Sequence, residues 1–195
     1  MDKKNIINFF DKASAFWDED TIRNEAVISK ILDGAEIREG ARLLDVACGT
    51  GVLIPDYLAR GVESVTAIDF SPKMVSLAKD KFSLYNNVEI ICADAYEFKT
   101  QDKFDCIMVH NSFPHFPYPE KLVEHLSSLL KKDGVLTIAH SMSKEELDTL
   151  HKKSAGAVSI PLLSTDELAD IFSKRFNITV KISDNDMYQV SGKLK

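Results

Sequence analysis

The chain has 195 residues, 45% hydrophobic and 28% charged, with a formal net charge of −6, the length and composition of one soluble globular domain with a sizeable core. No cluster of lysines and arginines is dense enough to form a phosphate-binding face, which argues against a nucleic-acid partner. No apolar run reaches membrane-spanning length and the N-terminus lacks a cleavable apolar leader, which argues against a membrane partner and for the cytoplasm. The first elements are helical: Ile6, Phe9, Phe10, Ala13, Phe16 and Trp17 recur at helical spacing over residues 5–17, and Val27, Ile28, Ile31 and Leu32 over residues 25–32. This pair reads as packed on the face of the sheet that follows. The first buried strand then runs into Ala47-Cys48-Gly49-Thr50-Gly51, where Gly49 and Gly51 allow a sharp turn and a close approach of backbone to ligand.

Residues 52–60 read as a helix ended by Gly61, and residues 64–69 as a second strand closed by Asp69. Ser71 and Pro72 open the next helix, with the serine as cap and Met74, Val75, Leu77, Ala78 and Phe82 as the apolar face. A third strand over 88–92 leads into Ala93-Asp94-Ala95. A fourth over 104–109 delivers the loop from His110 to Pro119 to the carboxyl edge of the sheet, where open α/β folds bind ligands. A helix over 120–130, a turn at 131–134, a fifth strand over 135–139 and a helix over 143–151 follow. Residues 152–161 read as a loop, and Ser164 to Glu167 as a capping box for a last helix reaching about Lys174. Residues 176–183 and 187–193 make a terminal hairpin. The cysteines, Cys48, Cys92 and Cys106, show neither paired nor metal-ligand spacing and read as small buried hydrophobes.

The chemistry begins at the glycine turn. Where a dinucleotide fingerprint has its third glycine, this chain has Ile54, so no pyrophosphate cradle is expected. Asp45, ahead of the glycines, suits an ammonium group, and Asp69, at the end of the second strand, suits a ribose diol. A glycine turn without a phosphate cradle suits a nucleoside that carries an amino acid. Of the five histidines, His110 and His140 lie just past strands four and five, His115 in the loop after strand four and His151 on the helix after strand five; only His125 fits an ordinary surface helix. Four therefore converge on one edge. They read as a general-base or acceptor-orienting cluster, as hydrogen-bonded loop residues, or as a site for a soft or borderline metal cation.

The run from Asp45 to Gly51 resembles motif I of the class I S-adenosylmethionine-dependent methyltransferases, acid-x-Gly-x-Gly-x-Gly, with Ala47 in place of the first glycine. Residues 9–18 resemble the start of small-molecule methyltransferases such as those of quinone biosynthesis, in which this segment closes over the donor. The resemblance implies an α/β, Rossmann-like fold with a seven-stranded mixed sheet, an antiparallel terminal strand and helices on both faces, built as one domain over 1–195 with a helical lid at 1–33 and a core at 41–195. It implies that Asp45, Gly49 and Gly51 hold the methionine portion of S-adenosylmethionine, Asp69 the ribose hydroxyls and Asp94 with Ala95 the adenine, with Ala47, Cys48, Phe70 and His110 completing the lining. S-adenosylhomocysteine is then the product. Placement alone makes His110, His115 and His140 the candidates to orient or deprotonate a small-molecule acceptor, without a resident metal. Asn111-Ser112-Phe113-Pro114 departs from the Asn/Asp-Pro-Pro-aromatic order of base-methylating enzymes, so Phe113, Phe116 and Tyr118 read as an apolar acceptor wall. A monomer or a homodimer fits the chain equally. The alternatives are a non-catalytic metal-binding or sensor protein on the same fold and a nicotinamide-dependent oxidoreductase.

Overall fold

The computed structural model describes residues 2–20 and 22–195; Met1 and Thr21 lie outside the described residues. Five parallel strands, β1 (Arg42–Val46), β2 (Ser64–Asp69), β3 (Val88–Cys92), β4 (Phe104–His110) and β5 (Leu130–His140), are completed by a hairpin of β6 (Phe176–Ser183) and β7 (Tyr188–Leu194). The order across the sheet is β3-β2-β1-β4-β5-β7-β6, with β7 inserted antiparallel between β5 and β6. The expected seven-stranded mixed sheet is thus the observed one. The order reverses direction between β1 and β4, which opens a crevice at their carboxyl ends.

Alternation along the strands divides the core into two layers. Leu43, Val65, Cys106 and Met108 face one way and meet α3 (Glu25–Gly34), α4 (Ile54–Ala59) and α5 (Pro72–Phe82). Leu44, Ile68, Ile107, Val109 and Leu136 face the other way and meet α6 (Pro119–Ser127), α7 (Lys144–Ser154) and α8 (Thr165–Ser173). The helices start where the sequence supplies caps: the side chains of Asn24, Ser71, Ser143 and Ser164 each accept a backbone N–H of the first turn, the last two as full capping boxes.

Four of the boundaries that differ from expectation have a direct structural cause. The first helix breaks into α1 (Lys3–Ala13) and α2 (Trp17–Asp20), because the Ser14 hydroxyl donates back to the Asp11 carbonyl at 2.9 Å. The glycine turn consumes residues 52 and 53, so α4 starts only at Ile54. The helix expected to reach Leu130 ends at Ser127, where Ser127 and Ser128 turn their hydroxyls back on the carbonyls of Glu124 and His125. The turn expected at 131–134 is part of β5 instead. Leu130 pairs with Phe104 across a bulge, and Lys131 Nζ meets Asp105 Oδ2 at 2.8 Å, which holds the polar run extended.

Candidate active site

The carboxyl edge of the sheet and the N-terminal helices enclose a cavity of about 330 Å³. Its floor is the turn after β1. Ala47, Gly49 and Gly51 all take positive φ there, at 56°, 57° and 82°. For Ala47 this left-handed backbone is a local strain of about 1–2 kcal/mol, which a glycine would lack. The turn is stapled to β2 by Asp69, whose Oδ2 accepts the Gly49 N–H at 2.9 Å and whose Oδ1 accepts the Ser71 N–H at 2.8 Å. Gly51 serves the turn rather than the wall: it does not line the cavity, and a Cβ there would stand 2.5 Å from Phe82 Cε2. The other residues expected to hold the donor, Asp45, Ala47, Cys48, Gly49, Asp69, Phe70, Asp94, Ala95 and His110, all line it.

Asp45 is buried, with no ion pair among the described residues. Burial, and then the nearby Asp69, push its carboxyl up to about 8; the Tyr57 hydroxyl is close enough to oppose this yet forms no hydrogen bond. Burial also raises Asp69, against the N–H groups of Ser71 and Gly49. An enclosed acid without a counter-charge, facing a cavity, is a place for a cationic group of a ligand. Asp94 is already engaged, with Lys3 Nζ at 2.6 Å from Oδ2 and the Tyr96 N–H at 2.9 Å from Oδ1.

Lys3 belongs to a set of contacts that sequence reasoning missed. Asp11 of α1 accepts from Ser71 Oγ at 2.5 Å, and Asp18 of α2 accepts from Thr50 Oγ1 at 2.5 Å while pairing with Lys81 at 2.5 Å. The N-terminal helices therefore sit on the glycine turn, the start of α5 and the loop after β3, three segments that also wall the cavity. Sequence spacing gave helices here but carried no sign of their polar partners.

At the opposite end β4 finishes on His110, and the loop after it supplies Ser112, His115 and Phe116. His115 Nδ1 lies 2.7 Å from the Val158 carbonyl oxygen, and the Ile160 N–H donates to the Pro114 carbonyl at 2.8 Å, so residues 158–160 brace this loop from behind. The Phe10 ring meets His115 edge-on at 4.9 Å between centroids. Burial brings both His110 and His115 down to about 4, helped by Arg23 at His110 and opposed by the Val158 hydrogen bond at His115. Both imidazoles are neutral at pH 7.

His140 is a correction to the expected acceptor cluster. It is fully buried outside the cavity wall, its ring nitrogens lack partners among the described residues, and its ring lies edge-on to Tyr188 at 5.9 Å. Strand register is the reason: His110 pairs with Ala139, so the next residue, His140, points to the opposite face of the sheet. Burial, and then His110, His151 and His115, hold its basicity well below the usual histidine range. His151 is half-buried on α7, 5.2 Å from the His115 ring. Among the described residues no group of three or more histidine, cysteine or acidic side chains could hold a metal ion, and no helix is long and apolar enough to cross a membrane.

Residues 43–134 match a family model described as a methyltransferase domain. The chain is 32% identical over 142 residues to malonyl-[acyl-carrier protein] O-methyltransferase of Acetivibrio thermocellus, covering 71% of this chain and 50% of that one. It is 28% identical over 201 residues to malonyl-[acyl-carrier protein] O-methyltransferase 1 of Ilyobacter polytropus, covering 96% and 72%. It thus spans half the length of the first relative and nearly three quarters of the second. In fold it is similar to the N-methyltransferase NodS of Bradyrhizobium japonicum WM9 solved with S-adenosyl-l-homocysteine, with a TM-score of 0.69 at 12% identity over 87% of this chain and 86% of that one.

Proposed function

We propose that the chain is a class I S-adenosylmethionine-dependent methyltransferase that transfers the donor methyl group to a small-molecule acceptor. The observation that carries this reading is the unpaired, buried Asp45 beside the glycine turn, in one cavity with Asp69 and Asp94. The bound donor supplies an electrophilic methyl on a sulfonium. Asp45 holds the ammonium, the turn at Gly49 gives the amino-acid portion room, Asp69 takes the ribose hydroxyls, and Asp94 with Ala95 takes the adenine, lined further by Ala47, Cys48, Phe70 and His110. The remaining work is alignment, since methyl transfer asks for a nucleophile about 3 Å from the methyl carbon in line with the bond that breaks. His110 and His115 orient the acceptor, and the Phe10 and Trp17 rings keep water out. Residues 1–33 act as the lid and 41–195 as the core of one domain, which works in the cytoplasm as a monomer or a homodimer.

The test is calorimetry with S-adenosylhomocysteine. Saturable 1:1 binding is the expected result, together with release of the same product when the protein meets donor and a small-molecule extract. A folded protein that does not bind it, or an Asp69→Ala variant with unchanged affinity, would overturn the reading.

A further inference from the structure

The formal charges on the cavity wall are unevenly placed. Asp45 and Asp69 lie at the ends of β1 and β2, Asp94 pairs with Lys3 beyond β3, and Glu97 and Lys121 stand near Tyr96. The end walled by the loop after β4 presents Phe10, Trp17, His110, Ser112, His115 and Phe116, none of which is charged at neutral pH. Asn111, also on this wall, is bound by both its amide atoms to Ser141. A carboxylate or ammonium brought here would lose its hydration to a wall with no counter-charge, whereas a flat uncharged ring gains contact with Phe10 and Phe116.

The polar atoms at this end are specific. A carbonyl oxygen only accepts, so the bond to Val158 puts the proton on His115 Nδ1 and leaves Nε2 as a lone pair, with no protein donor among the described residues. Ser112 Oγ and His110 Nε2, by contrast, are shielded from the cavity and have no partner among the described residues. An accessible lone pair in a ring-lined wall marks where a ligand's own hydrogen-bond donor belongs.

Resting on the methyltransferase reading, we propose that the acceptor is an uncharged aromatic hydroxyl compound whose O–H donates to His115 Nε2. An oxygen lone pair forms the new O–CH3 bond, the pair of the S–CH3 bond stays on sulfur, and the O–H pair returns to oxygen as its proton passes to His115 Nε2 and then to water. A phenol has a pKa of about 10, so neutral His115 cannot deprotonate it beforehand; the proton moves as the bond to carbon forms and the oxygen becomes acidic. His115 therefore aligns the O–H and receives its proton late.

Protein saturated with S-adenosylhomocysteine is titrated by calorimetry and ring-proton NMR with catechol, 2-methoxyphenol, anisole, monoethyl malonate and benzylamine, and the same probes are offered with donor while product is counted. The two phenols are expected to bind at least about tenfold more tightly than the anion, the ammonium or the ether, and to be the ones turned over. His115→Gln is expected to erase the preference for phenol over anisole and lower kcat by about 100-fold with unchanged affinity for the donor product. Preference for monoethyl malonate or benzylamine, or no phenol bound by the loaded protein, overturns the proposal. Failure to load with S-adenosylhomocysteine overturns the underlying methyltransferase reading instead.

Discussion

At the ends of β1, β2 and β3 the cavity wall is carried by Asp45, Asp69 and Asp94, while at the end of β4 and in the loop after it the wall is carried by neutral His110, Ser112 and neutral His115. Both halves lie along one sheet edge. They differ in what burial does to them. In the first half it makes Asp45 and Asp69 reluctant to ionise, poising them for a cationic or hydroxyl-rich partner; in the second it strips histidines of charge and leaves lone pairs. One fold edge thus offers two chemistries, divided at the point where the strand order reverses.

The contrast can be broken hardest at Asp69. Asp69→Ala leaves the Gly49 and Ser71 N–H groups unmatched in a buried turn, and S-adenosylhomocysteine affinity is expected to fall by about 100-fold, with a loss of about 2–4 kcal/mol in chemical-denaturation stability. Asp45→Asn acts on charge with the shape kept. In the parent protein the free carboxyl is protonated at pH 7 and must ionise to meet an ammonium, so affinity should rise from pH 6 to about pH 8; the variant should bind about tenfold more weakly at pH 8 and lose that slope. Calorimetry in buffers of different protonation enthalpy would register the released proton.

The two halves should also pull stability in opposite directions with pH. The folded-state pKa of Asp45 is raised, to about 8, so its contribution is present at low pH and lost as pH rises from about 4 to 8. His110 and His115 are depressed to about 4, so the folded state is favoured near neutrality and weakens as pH falls from about 6.5 towards 4. Thermal melts of Asp45→Asn should therefore climb more steeply between pH 4 and 6.5 than those of the parent, and stay flat to pH 8 where the parent declines. The smallest effect is expected at the lid. Lys3→Met removes the ammonium that Asp94 holds, and affinity for S-adenosylhomocysteine should rise about threefold and cease to depend on salt.

Most of the frame was legible because its signals are local. Apolar runs, Ser71-Pro72 and the serine caps mark where strands and helices begin, and Asp45, Gly49 and Asp69 lie where a strand end must put them. What escaped depended on partners distant in sequence. The extension of β5 through Lys131-Lys132-Asp133-Gly134, which by composition is a turn, rests on Asp105 and on pairing with Phe104. His140 looked equivalent to His110 because both end strands; only the register of β4 on β5 reveals that they face apart. The lid contacts of Lys3, Asp11 and Asp18 join residues far apart in the chain, and no pattern in residues 2–20 announces them.

The inserted position of β7 has a consequence for synthesis. Val135 pairs with Lys193 and His140 with Tyr188, so β5 gains its second neighbour only after β6 and the hairpin turn have been made. Until then a strand that is apolar on both faces is the growing edge of the nascent sheet, open to pairing with any extended segment nearby. Ribosome-bound chains arrested before Tyr188 should therefore bind hydrophobic-strand chaperones and lose them once β7 is released.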